Sequence, residues 1–206
     1  LQSARATFVG EWDQRLCELE VPVPALCVVR ALKPFLERDV TFLLDGGNIG
    51  RWAHLILWDR HPGFWHTCGA SGVVGWGIPG AIGARLARPD HPLLLLSGDG
   101  SAGFTITDIE TALRFGTPFV MVVASDAAWG IVAECYPEGY RCGSALGDIR
   151  FDRVAEALGA RGVYIEHGSQ LGPAIEQALA LDTVTVIHVP IQLGGIGYWD
   201  QRLRTR

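Results

Sequence analysis

The chain has 206 residues, 49% of them apolar and 19% charged, enough for one sizeable domain with a substantial core. A formal charge of −5 with no Lys/Arg cluster argues against nucleic acid or an anionic membrane as the main partner. No apolar run approaches the ~20 residues of a membrane helix, the N-terminus lacks a basic-then-apolar leader, and the five cysteines have no Cys-x-x-Cys spacing that would signal zinc or an iron–sulfur cluster. The expectation is a cytoplasmic protein whose cysteines serve as small buried apolar residues.

Residues 1–25 carry little strand character and read as a linker-like segment, with Val21-Pro-Val-Pro24 extended. Ala25 to Arg38 fits an amphipathic helix kinked at Pro34. Thr41–Leu44 is a short buried strand running into Asp45-Gly-Gly-Asn-Ile-Gly50, and a helix is predicted over Arg51–Asp59. Phe64–Cys68 reads as a strand, Gly69–Gly77 as a glycine-rich loop, and Pro79 as the first residue of a helix. Leu93–Ser97 is a strand. Gly98–Gly103 is a further glycine-rich loop, and Thr105–Phe115 a helix with Ile106, Ile109, Ala112 and Leu113 on one face. Then come a strand at Pro118–Ala124, a helix at Phe151–Leu158, a strand at Gly162–Ile165, a helix at Leu171–Leu181 and a strand at Val184–Val189. Alternating strands and helices imply an α/β fold: one doubly wound, mostly parallel sheet of about six strands, helices on both faces, over residues 26–192. Residues 193–206 form a C-terminal tail, either a frayed end or a lid.

Two apolar strands end in a carboxylate flanked by small residues. One is Gly98-Asp99-Gly100-Ser101; the other is Ser125-Asp126-Ala127-Ala128-Trp129-Gly130. Joined by a right-handed crossover, they bring Asp99 and Asp126 to one carboxyl edge, where open α/β sheets bind ligands. Two carboxylates beside bare glycine backbone suit a hard divalent cation such as Mg²⁺ carrying a phosphate, with the Gly100 and Ser101 amides near a helix start facing the anion. Asp99 alone would equally well close a turn or cap a helix. Gly98–Gly103 also matches the Gly-x-Gly-x-x-Gly of dinucleotide sites, but an Asp in its middle sets negative charge beside a pyrophosphate.

Taken together, these segments resemble the diphosphate-binding C-terminal domain of the thiamine-diphosphate-dependent superfamily of acetolactate synthase, benzaldehyde lyase and 2-hydroxyacyl-CoA lyase. Besides the two carboxylate motifs, Gly69-Ala-Ser-Gly-Val-Val-Gly-Trp-Gly-Ile-Pro-Gly-Ala-Ile-Gly-Ala84 is similar to the segment that grips the aminopyrimidine, and Asp45–Gly50 to the first diphosphate loop. The resemblance implies thiamine diphosphate and Mg²⁺ as cofactors. It assigns Asp99, Asp126 (a position usually held by Asn) and the Ala128 carbonyl to the metal. Gly47, Asn48, Ile49, Gly98, Gly100 and Ser101 fall to the diphosphate, with Trp129 and Gly130 closing the second motif. Gly72 is matched to the carbonyl that accepts from the pyrimidine amino group, and Val74 to the bulky residue under the bent cofactor, often Met or Leu. Core packing is the plain alternative for Val74, and a structural role the plain alternative for the nearby His66.

By the same resemblance, the glutamate that activates the pyrimidine ring belongs to a separate pyrimidine-binding domain, and no acidic residue of this chain is assigned that role. The expectation is a subunit or fragment of a carbon–carbon lyase, decarboxylase or carboligase. It would pair with a chain or domain carrying the other half of the site, in a hetero- or homo-oligomer, and act on 2-oxo acids, 2-hydroxyketones or 2-hydroxyacyl thioesters. Two other readings stay open at this point: the small subunit of a 2-oxoacid:ferredoxin oxidoreductase, and a non-catalytic subunit that keeps the fold.

Overall fold

The computed structural model describes residues 21–57, 63–136 and 142–194. Six strands form one sheet: β1 (Thr41–Asp45), β2 (Trp65–Thr67), β3 (Leu93–Gly98), β4 (Val120–Ser125), β5 (Arg161–Tyr164) and β6 (Thr185–Pro190). Their order is β2-β1-β3-β4-β6-β5 and every pairing is parallel. The helices are α1 (Ala25–Leu32), α2 (Asn48–Ile56), α3 (Gly77–Ala87), α4 (Asp99–Thr105), α5 (Asp108–Arg114), α6 (Gly130–Ala133), α7 (Phe151–Ala157) and α8 (Leu171–Leu179).

Strand alternation sorts the apolar residues into two cores. Phe42, Leu44, Leu94, Leu96, Val122 and Ile187 point to the face covered by α1, α2 and α8. Leu43, Leu95, Met121, Val123 and Val186 point to the face covered by α3, α5 and α7. Strands buried on both faces must be apolar at consecutive positions, which is why Leu93–Leu96 reads as an unbroken run.

The chain leaves β1 for one face through α2 and leaves β3 for the other through α4 and α5, although β1 and β3 are neighbours. The diverging connections open a crevice beyond their carboxyl ends. Open α/β sheets place their ligands at such a reversal of strand order.

The doubly wound parallel sheet predicted from the sequence is present; several element boundaries differ. α1 ends at Leu32, ahead of Pro34, whose ring would clash with the preceding turn, and short turns follow. The helix predicted at Arg51–Asp59 begins earlier, at Asn48; Asp59 lies outside the described residues. Pro79 is the third residue of α3, where its missing N–H is still harmless. The loop predicted over Gly98–Gly103 is helical from Asp99 onward in a helix that ends at Thr105, and the helix predicted over Thr105–Phe115 is present but runs over Asp108–Arg114. The Thr105 hydroxyl is drawn to the Gly75 carbonyl (3.0 Å) where the first helix ends, and Asp108 and Glu110 provide the acidic first turn of the second.

Val23 is buried and bridges Ile191 in parallel, so the extended Val21–Pro24 segment is tied to the end of the sheet. Among the cysteines, Cys27 is buried and disulfide-bonded. Cys135 and Cys142 are exposed, so the expectation of buried apolar cysteines fails for them: each sits beyond the strands, in connections that the core does not cover. No helix among the described residues is long and apolar enough to cross a membrane. Residues 1–20 of the linker-like segment and 195–206 of the tail lie outside the described residues.

Leu95 on β3 is fully buried in the second core. Leu95→Ala is expected to lower unfolding free energy by about 2–5 kcal/mol, the cost of a core cavity, without changing secondary structure; urea denaturation followed by circular dichroism measures it.

Candidate functional site

The site begins with three tight connections at the carboxyl edge. After β1, Gly46 lies so close to β3 that a Cβ there would stand 2.9 Å from the Gly98 nitrogen, and the chain turns directly into α2. After β3, α4 starts at Asp99 with no connecting loop. After β4, Ala127 adopts a positive φ of 54°, and Ala128 forms an isolated antiparallel bridge with Ala145.

The residues around that bridge fix the direction of the Ala128 backbone. Trp129 donates to the Ser144 carbonyl (2.7 Å) and Leu146 donates to the Ala127 carbonyl (2.7 Å). In an antiparallel pair of this kind the intervening residue turns its own N–H and C=O the other way. The Ala128 N–H accordingly reaches Asp126 Oδ1 at 3.2 Å. Asp99 takes the Gly100 N–H on Oδ1 (2.8 Å) and the Ser125 hydroxyl on Oδ2 (3.1 Å).

Asp99 is buried and Asp126 half-buried, and the two are close enough to repel. Burial first, then the Asp99 charge, push the Asp126 carboxyl up to about 7. Burial likewise raises Asp99, against hydrogen bonds that favour its ionised form. Asn48, at the start of α2, donates to Glu134 (3.4 Å), but its buried Oδ1 has no partner. Asp99, Asp126, Asn48 and Ala128 line the same cavity, and their carboxylate, amide and backbone oxygens are of the chemistry that suits a hard divalent cation such as Mg²⁺. Among the described residues no group of three or more His, Cys, Asp or Glu is placed to hold a metal. Any further ligands would therefore come from backbone or from the bound molecule.

One cavity gathers nearly all the residues singled out in the sequence. Gly47, Asn48 and Ile49 line it from the first connection, Gly98, Asp99, Gly100 and Ser101 from the second, and Asp126, Ala128, Trp129 and Gly130 from the third. Val74 reaches it from the glycine-rich loop and is 44% exposed, which disposes of the core-packing alternative. Gly72 does not line it; it stands at the end of a 3₁₀ turn (Gly69–Ser71) with φ of 61°. His66 is exposed on β2 and is not among the lining residues.

Glycine is required by close approach at two of these points. A Cβ on Gly130 would collide with Asp126 Oδ2 and stand 2.7 Å from Asn48 Nδ2, and one on Gly100 would stand 2.7 Å from the Trp129 ring. Sequence reasoning missed Ala124, Ile131 and Ile191, which also line the cavity. Ile131 directly follows the second motif and Ile191 extends the last apolar run, so position relative to the strand ends was the signal available for both.

The family model for the thiamine pyrophosphate enzyme C-terminal TPP binding domain matches residues 45–189. The chain belongs to this family. Within the TPP-binding domain family it is 32% identical to a probable acetolactate synthase of Mycobacterium bovis over 84% of this chain and 32% of that protein. It is 34% identical to 2-hydroxyacyl-CoA lyase 2 of Danio rerio over 74% of this chain and 25% of that protein. The chain thus spans a quarter to a third of the length of these relatives. The fold is shared with benzoylformate decarboxylase from Polynucleobacter necessarius, with a TM-score of 0.77, 24% identity, and coverage of 89% of this chain and 36% of that one. Thiamine pyrophosphate, synonymous with thiamine diphosphate, is the ligand by which the family's domain is named.

The raised Asp126 carboxyl makes the ligand-free protein pH-sensitive. The folded state holds that proton more tightly than the unfolded chain, whose carboxyl titrates near 3.8. Stability from this group is therefore full below about pH 4, falls by at most about 1.4 kcal/mol per unit up to pH ~7, and then levels. Urea denaturation of the metal-free protein across that window, compared with Asp126→Asn, is expected to show the decline in the wild type and its flattening in the variant.

Proposed function

We propose that this domain binds Mg²⁺ and thiamine diphosphate in the cavity at the carboxyl edge, with Asp99, Asp126 and the Ala128 carbonyl holding the metal. The observation that carries this reading is the pair of repelling carboxylates, Asp99 buried and Asp126 half-buried, lining one cavity with Ala128 and with Asn48, whose Oδ1 has no partner, in a chain of the TPP-binding family. A cation there relieves the repulsion that raises Asp126. The diphosphate falls to backbone. In the first turns of α2 and α4 the amides lack intrahelical acceptors, so Gly47–Ile49 and Ser101 present N–H groups to an anion, whereas the Gly100 N–H is already taken by Asp99.

Each residue has a separable task. Gly130 and Gly100 give up side chains so that Asp126 and Trp129 can close on the site. Ile49, Ile131 and Ile191 line the same cavity and exclude water from around the ions, which strengthens their attraction. Val74 supplies an apolar contact at the open side, and Gly72, just outside the cavity, is placed on the same loop to meet the pyrimidine end. The cofactor, when bound, supplies the electron sink for cleaving or forming a carbon–carbon bond next to a carbonyl.

The reaction proposed for the whole protein is that of a lyase, decarboxylase or carboligase on 2-oxo acids, 2-hydroxyketones or 2-hydroxyacyl thioesters. The names of the acetolactate synthase and 2-hydroxyacyl-CoA lyase relatives support it. A pyrimidine-binding domain, on the same or another chain, is proposed to cover the open side. The apolar rim supports that placement. Phe104 is 63% exposed, packs edge-on against Trp129 at 5.7 Å, and neighbours exposed Val73 and Val74 across the Gly75 turn.

Calorimetric titration with Mg²⁺ and thiamine diphosphate tests the reading. Asp126→Asn keeps an oxygen ligand and is expected to bind as well as the wild type or better. Asp126→Ala is expected to lose about tenfold to a hundredfold in affinity, the loss of one charge-assisted ligand. Unchanged affinity in the Ala variant would remove Asp126 from the site.

A further inference from the structure

Asp45 is a buried carboxylate that the cation does not use. It ends β1 in register with Ser97 of β3 and does not line the cavity. Its Oδ2 accepts the Gly77 N–H at 2.7 Å and its Oδ1 accepts the Gly75 N–H at 3.4 Å, while the Ser101 hydroxyl also donates to it. Gly77 is the first residue of α3, whose own preceding residue, Trp76, provides no side-chain cap. Asp45 therefore caps α3 from a neighbouring strand, adding negative charge where the helix dipole favours it.

The contact is close on every side. A Cβ on Gly77 would lie 2.8 Å from the Asp45 Cβ, and Gly75 holds a φ of 82° against Phe104. From the opposite side the Thr105 hydroxyl donates to the Gly75 carbonyl at 3.0 Å. Gly75 is thus gripped at its N–H by β1 and at its C=O by the end of α4. Burial pushes the Asp45 carboxyl upward and the donated hydrogen bonds oppose that shift, so these bonds favour the ionised form that accepts from both amides.

We propose that Asp45 and Thr105 are positioning residues that lock the Gly69–Gly77 loop, with Gly72 and Val74, to the helix bearing Asp99–Ser101. They thereby set the distance between the parts of the site that take the two ends of thiamine diphosphate. The inference rests on the cofactor reading above and deepens it. Neither residue meets the cofactor. Each acts through Gly75, which immediately follows Val74, so releasing it lets the loop sample arrangements in which Val74 and Gly72 no longer oppose the diphosphate cradle. Binding of a ligand that spans both ends then falls with the population of the locked arrangement. Binding of a ligand that occupies only the cradle does not.

The test compares two probes on the full-length protein that carries this chain: thiamine diphosphate and inorganic diphosphate, each with Mg²⁺, titrated calorimetrically. Asp45→Asn turns one acceptor into a donor facing a buried amide; Thr105→Val removes only the hydroxyl. Each is expected to weaken thiamine diphosphate by about tenfold, the scale of one lost hydrogen bond, and to leave inorganic diphosphate within about twofold. Equal weakening of both probes would make the pair merely structural and overturn the inference, as would wild-type affinity for both. If Asp45→Asn does not fold, Thr105→Val decides alone. A wild-type protein that binds neither probe would instead sink the cofactor reading, and the inference with it.

Discussion

Two carboxylates held side by side, one buried and one half-buried, repel, and the carboxyl edge of this sheet is organised around that repulsion. Asp99 and Asp126 stand at the ends of adjacent parallel strands, so the register of β3 with β4 brings them together before any ligand arrives. The hydrogen bonds from Gly100, Ser125 and Ala128 compensate in part. They do not cancel the charge, as the upward push on Asp126 records. An arrangement that costs stability without a cation and is relieved by one is the usual form of a preorganised hard-metal site.

The same edge shows why backbone rather than side chains dominates the cradle. Three connections converge where β1, β3 and β4 end, and each is too tight for a Cβ at a key point: Gly46 against Gly98, Gly100 against Trp129, Gly130 against Asp126. Close approach leaves helix-start amides, rather than long cationic side chains, as the groups that can face an anion. The chain's −5 charge is compatible with this, because a bound cation, not a basic patch, would supply the positive field.

The two-sided core and the asymmetric edge are linked. β1 and β3 send their following helices to opposite faces, and the crevice exists because they do. Asp45 sits at that parting of the chain and ties α3 back to β1. The crevice is thus braced by a carboxylate outside the cavity that Asp99 and Asp126 line, and the glycine-rich loop is held in place by bonds to its neighbours despite its own conformational freedom.

Sequence alone determined the strands, the sheet class and the two carboxylate motifs. Strands buried on both faces require apolar runs such as Leu93–Leu96, and a turn at a strand end requires small residues, so both leave a readable pattern. The resemblance built on those motifs picked out cavity-lining residues from Gly47 to Gly130, with Gly72 the exception. Tertiary structure decided the rest. That the helix of Asp99–Ser101 ends at Thr105, and that Asp45 and Thr105 grip one glycine from opposite sides, involve contacts between residues about 30 positions apart in sequence. Such contacts have no period and no local composition to announce them. They arise only once the sheet has set the strand ends a few ångströms apart.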